Sequence, residues 1–260
     1  MRRIIPWIVL SLLLGCKEQQ ISFNEREFIS LAGTWQSEQG NIALPGTIDE
    51  NKRAPRNDDT LNTSRLTRLH PFEGKLTYTR EIEIPASSAE KEWRLVMERT
   101  KPSVLRIDGD SIGESSLILS PQVYDVGRLA AGKHTISIEV DNSPGSVPSG
   151  IHGSHAWTDA TQTNWNGIIG KFGLEAHEGI LFENLQLFPD IENNTVRVKA
   201  LIRSSGSGDA GITVKGYAWN TKEKASIPQQ HFGMTLEEGT GIYEFQLDMG
   251  GNPLLWSEFN

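Results

Sequence analysis

The chain reads as all-β, built from sandwiches rather than from a parallel sheet with crossover helices. Three observations predict this. No long segment repeats apolar residues at helical spacing. Short segments instead alternate apolar and polar residues and stop at polar turns. The 25 glycines and 12 prolines among 260 residues supply the turn chemistry that many short strands require.

The first element is a leader. Arg2 and Arg3 precede an apolar run from Ile4 to Gly15, and Leu12-Leu13-Leu14-Gly15 leads into Cys16. A membrane-spanning helix needs about 20 apolar residues, so this run fits a signal peptide better. A small residue before a cysteine, after an apolar run, resembles the bacterial lipobox. Residues 1–15 are therefore expected to be a lipoprotein signal peptide, and 16–28 a lipidated Cys16 with its tether. An ordinary signal peptide followed by an incidental cysteine is the other reading. Cys16 is the only cysteine, so no intramolecular disulfide is available to it. Two acyl chains would hold a soluble domain on a membrane. The expected location is the periplasm or cell surface, as an outer-membrane-anchored lipoprotein.

Strands follow. Leu76, Tyr78, Arg80, Ile82 and Ile84 share one parity from Lys75 to Pro85. Trp93 to Met97 is a second strand. Val104 to Ile107 runs into Asp108-Gly109-Asp110, which reads as a hairpin corner. Gln122 to Val126 is short, and His134 to Val140 alternates until Asp141-Asn142. Ile180 to Pro189 and Val196 to Ile202 flank a turn at 190–194. Ile212 to Ala218 and Ile242 to Leu247 complete the series. A polar bridge at 175–179 divides a first domain, 29–178, from a second, 179–260. The second holds 82 residues, where an immunoglobulin-like sandwich takes about 100. The expectation is that this domain is truncated at its C-terminus and that the chain is the front of a larger secreted enzyme.

The net charge is −8, and −10 once Arg2 and Arg3 leave with the leader. With no basic cluster, this disfavours nucleic acid and anionic lipid as partners. The histidines lack metal-ligand spacing: His152 and His155 are three apart without a third ligand, so no metal and no cofactor is expected. No glycine-rich phosphate cradle follows a strand and opens a helix.

Several segments carry a resemblance when taken together in order: Leu31-Ala32-Gly33-Thr34-Trp35 with Leu44-Pro45-Gly46-Thr47; Glu73 to Arg80; Glu98 to Ser103 with Val104 to Gly109; Leu129 to Asn142; Thr163 to Gly170; and Asn252 to Trp256. They resemble the non-catalytic β-domains of glycoside hydrolase family 2, which includes β-galactosidases, β-glucuronidases and β-mannosidases. The resemblance implies a jelly-roll (galactose-binding-like) domain, then an immunoglobulin-like domain, then a (β/α)8 barrel. The family's two catalytic glutamates lie on that barrel and match no residue here, so no catalytic residue is assigned.

The segment from His152 to Gly170 mixes hydroxyl-binding groups with Trp157 and Trp165. That mixture suits a sugar, whose apolar face stacks on an indole while its rim takes directed hydrogen bonds. The same residues suit packing and turn chemistry equally well. The resemblance implies that a loop of the first domain helps form the subsite for a terminal sugar. The candidates are Asp159, with Asn164 as the alternative, and Trp165 and His155 beside them. Arg68, just before Pro71-Phe72, could bind a sugar carboxylate through its rigid fork or form a surface ion pair. The paired acids Asp58-Asp59 and Glu237-Glu238 read as solvated surface, because adjacent strand residues point to opposite faces.

Two functions follow. The first is the non-catalytic N-terminal portion of a secreted, retaining, β-galactosidase-like glycoside hydrolase, inactive by itself. The second is a stand-alone carbohydrate-binding surface lipoprotein.

Overall fold

The structure, a computed structural model, describes residues 27–59, 68–89, 91–158, 164–177, 179–219, 224–256 and 258. The leader, Cys16 and most of the tether lie outside them. The described residues form sixteen β-strands and three short 3-10 turns, with no α-helix among them. The chain divides into two compact units, Glu25–Leu181 and Phe182–Asn260.

In the first unit, one sheet runs in the order β1 (Phe28–Ser30), β11 (Gly167–His177), β6 (Glu92–Thr100), β9 (Gln122–Arg128), with β4 (Gly46–Thr47) also paired to β11. A second sheet runs β5 (Lys75–Ile84), β10 (Gly132–Asp141), β7 (Ser103–Ile107), β8 (Asp110–Ser115). The strands β2 (Gly33–Trp35) and β3 (Ile42–Leu44) form a small hairpin. All of these ladders are antiparallel.

One core lies between the two sheets. Leu95, Met97, Ile168 and Leu174 enter it from the first sheet, and Tyr78, Leu105, Ile136 and Ile138 from the second, all fully buried. Full burial of each large aliphatic side chain contributes roughly 1.5–3 kcal/mol, so this layer dominates the unit's stability. The β5 alternation has the expected parity, with Leu76, Tyr78, Ile82 and Ile84 inside. Arg80 shares that parity, and its guanidinium donates to the Leu31 and Ala32 carbonyls at 3.0 and 2.9 Å. A polar residue on the core-facing row is thus satisfied by backbone. The Asp108-Gly109 corner between β7 and β8 has φ of 53° and 92°, the pair of positive values that a tight primed hairpin turn demands.

The central strand β11 does not alternate in sequence. It pairs with β1, β4 and β6, and a register shift between Ile169 and Phe172 breaks its parity. At that bulge the Glu98 carboxylate accepts the Lys171 N–H at 2.6 Å.

The second unit has a three-stranded sheet, β12 (Ile180–Asp190, which begins at the junction), β13 (Thr195–Ser204) and β16 (Gly239–Asp248), and a ribbon of β14 (Gly208–Trp219) and β15 (Lys224–Leu236). Val196, Val198 and Ala200 pair with Leu247, Phe245 and Tyr243. Phe232 of the ribbon stacks on Phe245 with ring centroids 4.4 Å apart, bringing the ribbon onto the sheet. Sequence alternation misses β15 because Pro228 interrupts it. The ladder accommodates this proline by shifting register between Val214 and Gly216.

Candidate functional site

The candidate site is built where β10 and β5 meet the start of β11. The backbone amide of Gly74, just before β5, donates to Asn142 Oδ1 at 2.9 Å. Asn142, just after β10, donates through Nδ2 to the carbonyls of Phe72 (2.7 Å) and Asn164 (3.1 Å). Asn164 returns the bond from its own Nδ2 to the Asn142 carbonyl at 2.8 Å. Asn166 donates to the carbonyls of Val140 (3.0 Å) and Gly74 (3.1 Å) and to Asn142 Oδ1 (3.2 Å), while its Oδ1 accepts the Tyr78 hydroxyl at 2.7 Å. Burial, with a smaller push from the Glu38 carboxylate, drives the Tyr78 phenol far above its ordinary pKa, so it remains a donor. The three asparagines and the tyrosine are all buried. In such surroundings each amide must be matched by a partner, and here the partners are mostly backbone.

This network fixes both sides of Trp165, which is half-buried between Asn164 and Asn166. Trp157 is buried and stacks on the His152 ring at 6.3 Å. Between these indoles lies a cation that sequence reasoning missed. Lys101, in the turn between β6 and β7, is 3% exposed. Its ammonium donates to the Ala156 carbonyl at 3.1 Å and lies 4.7 Å from the Trp157 ring centroid and 5.3 Å from that of Trp165. A lysine in a turn normally reads as solvated, so nothing local announced it.

The sequence-predicted residues divide as follows. Asn164 is 3% exposed and its amide nitrogen is spent on the Asn142 carbonyl. Trp165 keeps part of its surface open, and His155 is exposed. Asp159 lies outside the described residues. Arg68 is half-buried and donates to the Phe72 carbonyl at 3.4 Å. The same carbonyl accepts from Asn142, which also donates to the Asn164 carbonyl, so Asn142 bridges the Arg68 segment and the Trp165 segment. A second stitch holds the Arg68 segment: the His70 N–H donates to Asp49 Oδ1 at 3.2 Å, and His70 Nδ1 lies 2.8 Å from the Ala54 carbonyl oxygen. Asp58, Asp59, Glu237 and Glu238 are exposed. Among the described residues, no group of three or more His, Cys, Asp or Glu converges as a metal centre would.

The hydrogen-bonded asparagines hold the half-open Trp165 indole, while Arg68 is half-buried and His155 exposed. Among the described residues of this region, no nucleophile is paired with a base.

No protein-family model and no curated protein matches the chain. Solved structures do. A β-D-mannosidase from Dictyoglomus thermophilum is similar with a TM-score of 0.62 and 15% identity, over 86% of this chain and 31% of its own. A β-glucuronidase from Bacteroides uniformis is similar at 0.59 and 16%, over 90% and 29%. A glycoside hydrolase family 2 β-galacturonidase from Eisenbergiella tayi, bound to galacturonate, is similar at 0.58 and 18%, over 89% and 39%. At these identities the likeness is one of fold: most of this chain shares its architecture with less than two-fifths of each of those enzymes.

Proposed function

We propose that this chain forms the non-catalytic β-portion of a secreted, retaining glycoside hydrolase of family 2, acting on terminal sugars of glycans. The observation that carries the reading is the shared fold over 86–90% of this chain with glycosidases whose own chains are far longer. In this reading the first unit is a jelly-roll sugar-binding-like domain and the second an immunoglobulin-like sandwich. A (β/α)8 barrel supplies the two carboxyl groups, about 5 Å apart, that form and hydrolyse the covalent glycosyl-enzyme. The part played by this chain is to support that barrel and to narrow its cleft with the Trp165 and Arg68 segments. Trp165 stacks on the sugar face, while Asp159 and His155 address its hydroxyls; Asn164, buried and bonded to the Asn142 carbonyl, holds the segment in place instead. Arg68 would favour an acidic sugar, since a guanidinium binds a carboxylate through two parallel hydrogen bonds. The basic and apolar leader ending at Cys16 supports anchoring to the outer membrane by lipid.

The test is hydrolysis of p-nitrophenyl β-D-galactoside, β-D-glucuronide and β-D-mannoside by the purified chain, together with the reading frame beyond codon 260. No turnover above the buffer rate and a downstream barrel are expected. Turnover by the chain alone would overturn the reading. A stop codon combined with glycan binding would favour a stand-alone carbohydrate-binding lipoprotein instead.

A further inference from the structure

The buried cation between the two indoles has a function that neither its sequence context nor the proposed reading assigns. Removing an ammonium from water is costly unless its donors and charge are matched. Lys101 meets this demand with the Ala156 carbonyl and the negative faces of Trp157 and Trp165. The two indoles lie eight residues apart in one segment. Trp157 follows a 3-10 turn at Ser149–Ile151, and Trp165 stands two residues before β11. Lys101 comes from the other side, in the β6–β7 turn, whose ends are held by Thr100 donating to the Gly167 carbonyl at 2.7 Å and Gln122 donating to the Lys101 carbonyl at 3.0 Å. The cation therefore stands on a fixed base and reaches two aromatic rings at once.

We propose that Lys101 is a positioning residue. Its buried ammonium sets the orientation of the Trp165 indole, with Trp157 as the second wall, and so presents the open part of Trp165 for stacking on a sugar ring. The sugar-stacking half rests on the reading above, whereas the clamp stands on the geometry alone. Charge is the essential property. A neutral side chain of the same length fills the space without drawing either ring to it, and arginine keeps the attraction.

The experiment uses the chain labelled with 5-fluorotryptophan, its Trp157 and Trp165 fluorine resonances assigned by W157F and W165F. In Lys101→Met both resonances should shift and broaden, while in Lys101→Arg they should return towards their wild-type positions. Met and Arg variants that perturb the two resonances equally, or a Met variant that leaves both unmoved, would overturn the clamp. Should the Met variant fail to fold, acylation of the folded wild-type chain with an N-hydroxysuccinimide ester decides instead. Lys101 should react at least tenfold more slowly than exposed Lys133, and an equal rate overturns the proposal. Titration with methyl β-D-galactoside and methyl β-D-glucuronide separates the two readings. A glycoside-induced shift of Trp165 that is lost in Lys101→Met supports both. No glycoside shift in any form, with the clamp signature intact, supports the clamp and counts against the sugar site.

Discussion

The Tyr78 hydroxyl donates to Asn166 Oδ1 at 2.7 Å, joining residues 88 positions apart, both buried. This bond ties the second sheet to the entry of the first sheet's central strand, and it holds one flank of Trp165. Removing the hydroxyl leaves the asparagine oxygen buried without that donor. Tyr78→Phe should destabilise the chain by about 1–3 kcal/mol, the cost of an unmet buried polar group. Urea unfolding of Tyr78→Phe, Asn166→Ala and the double variant checks this, with a coupling of about 0.5–3 kcal/mol expected. Strict additivity would mean the bond is not a stabilising link.

Gly167 should tolerate no side chain. Its φ is 145°, and a Cβ there would lie 2.9 Å from Thr47 Cα and closer still to the Gly46 carbonyl oxygen. Gly127 has a comparable backbone constraint, φ 76°, but open space around it. Gly127→Ala should cost about 1–2 kcal/mol from left-handed strain alone. Gly167→Ala should cost about 1–3 kcal/mol more, because packed backbone must also move. Thermal melts of both variants test the difference, and equal losses would contradict the close approach of β4 to β11.

His134 should make stability depend on pH. Its Nδ1 lies 2.6 Å from Asp108 Oδ2 and its Nε2 lies 2.8 Å from the Ala130 carbonyl oxygen, so both ring nitrogens face acceptors. Partial burial pushes the imidazole pKa down, but the Ala130 carbonyl and the Asp108 carboxylate outweigh it and hold the value above the ordinary 6.5. Lys133 beside it is engaged with Glu81 on β5. The raised value means that the His134 contribution is full below the unfolded-state pKa and is lost as pH climbs through the folded-state value. Asp108 behaves oppositely. The Thr135 amide and His134 hold its carboxyl below its usual range, so its contribution fades as pH falls through that lowered value. The stability advantage of wild type over His134→Gln should therefore shrink from pH 6 to pH 8.5. A constant or growing advantage would show that the ring is not held as an imidazolium.

The first unit should fold by itself. Its core draws on residues from Leu31 to Ala176 only, and a hydrophobic core of that extent is what an independent domain needs. A polypeptide spanning Glu25–Leu181 should unfold in a single cooperative thermal transition with intact near-ultraviolet circular dichroism. A gradual, non-cooperative melt would contradict the division.

Much of the architecture was legible from local pattern. Strand signals placed β5, β6, β7, β9, β10, β12, β13, β14 and β16, and in β5, β7, β10 and β13 buried residues alternate, because side-chain parity in a strand is a local property that one buried face enforces. The Asp108-Gly109 corner was legible because only a few residues accept positive φ in succession. Alternation failed at β11, where a bulge breaks parity, and at β15, where Pro228 demands a register shift.

The site was legible as composition and not as roles. From His152 to Gly170 the chain displays indoles, amides and hydroxyls, residue types that suit a polar ring and packing or turn chemistry equally well. Which of them face solvent depends on partners far away in sequence. Asn166 is bonded to Tyr78, Gly74 and Val140, and Asn164 to Asn142. Lys101 is buried because two tryptophans, 56 and 64 residues later, close over it. A strand's inward face follows from nearest neighbours along the chain. The fate of a polar side chain is set by whichever distant donor, carbonyl or ring the folded sheets bring within about 3–5 Å, and only the assembled sandwich supplies that information.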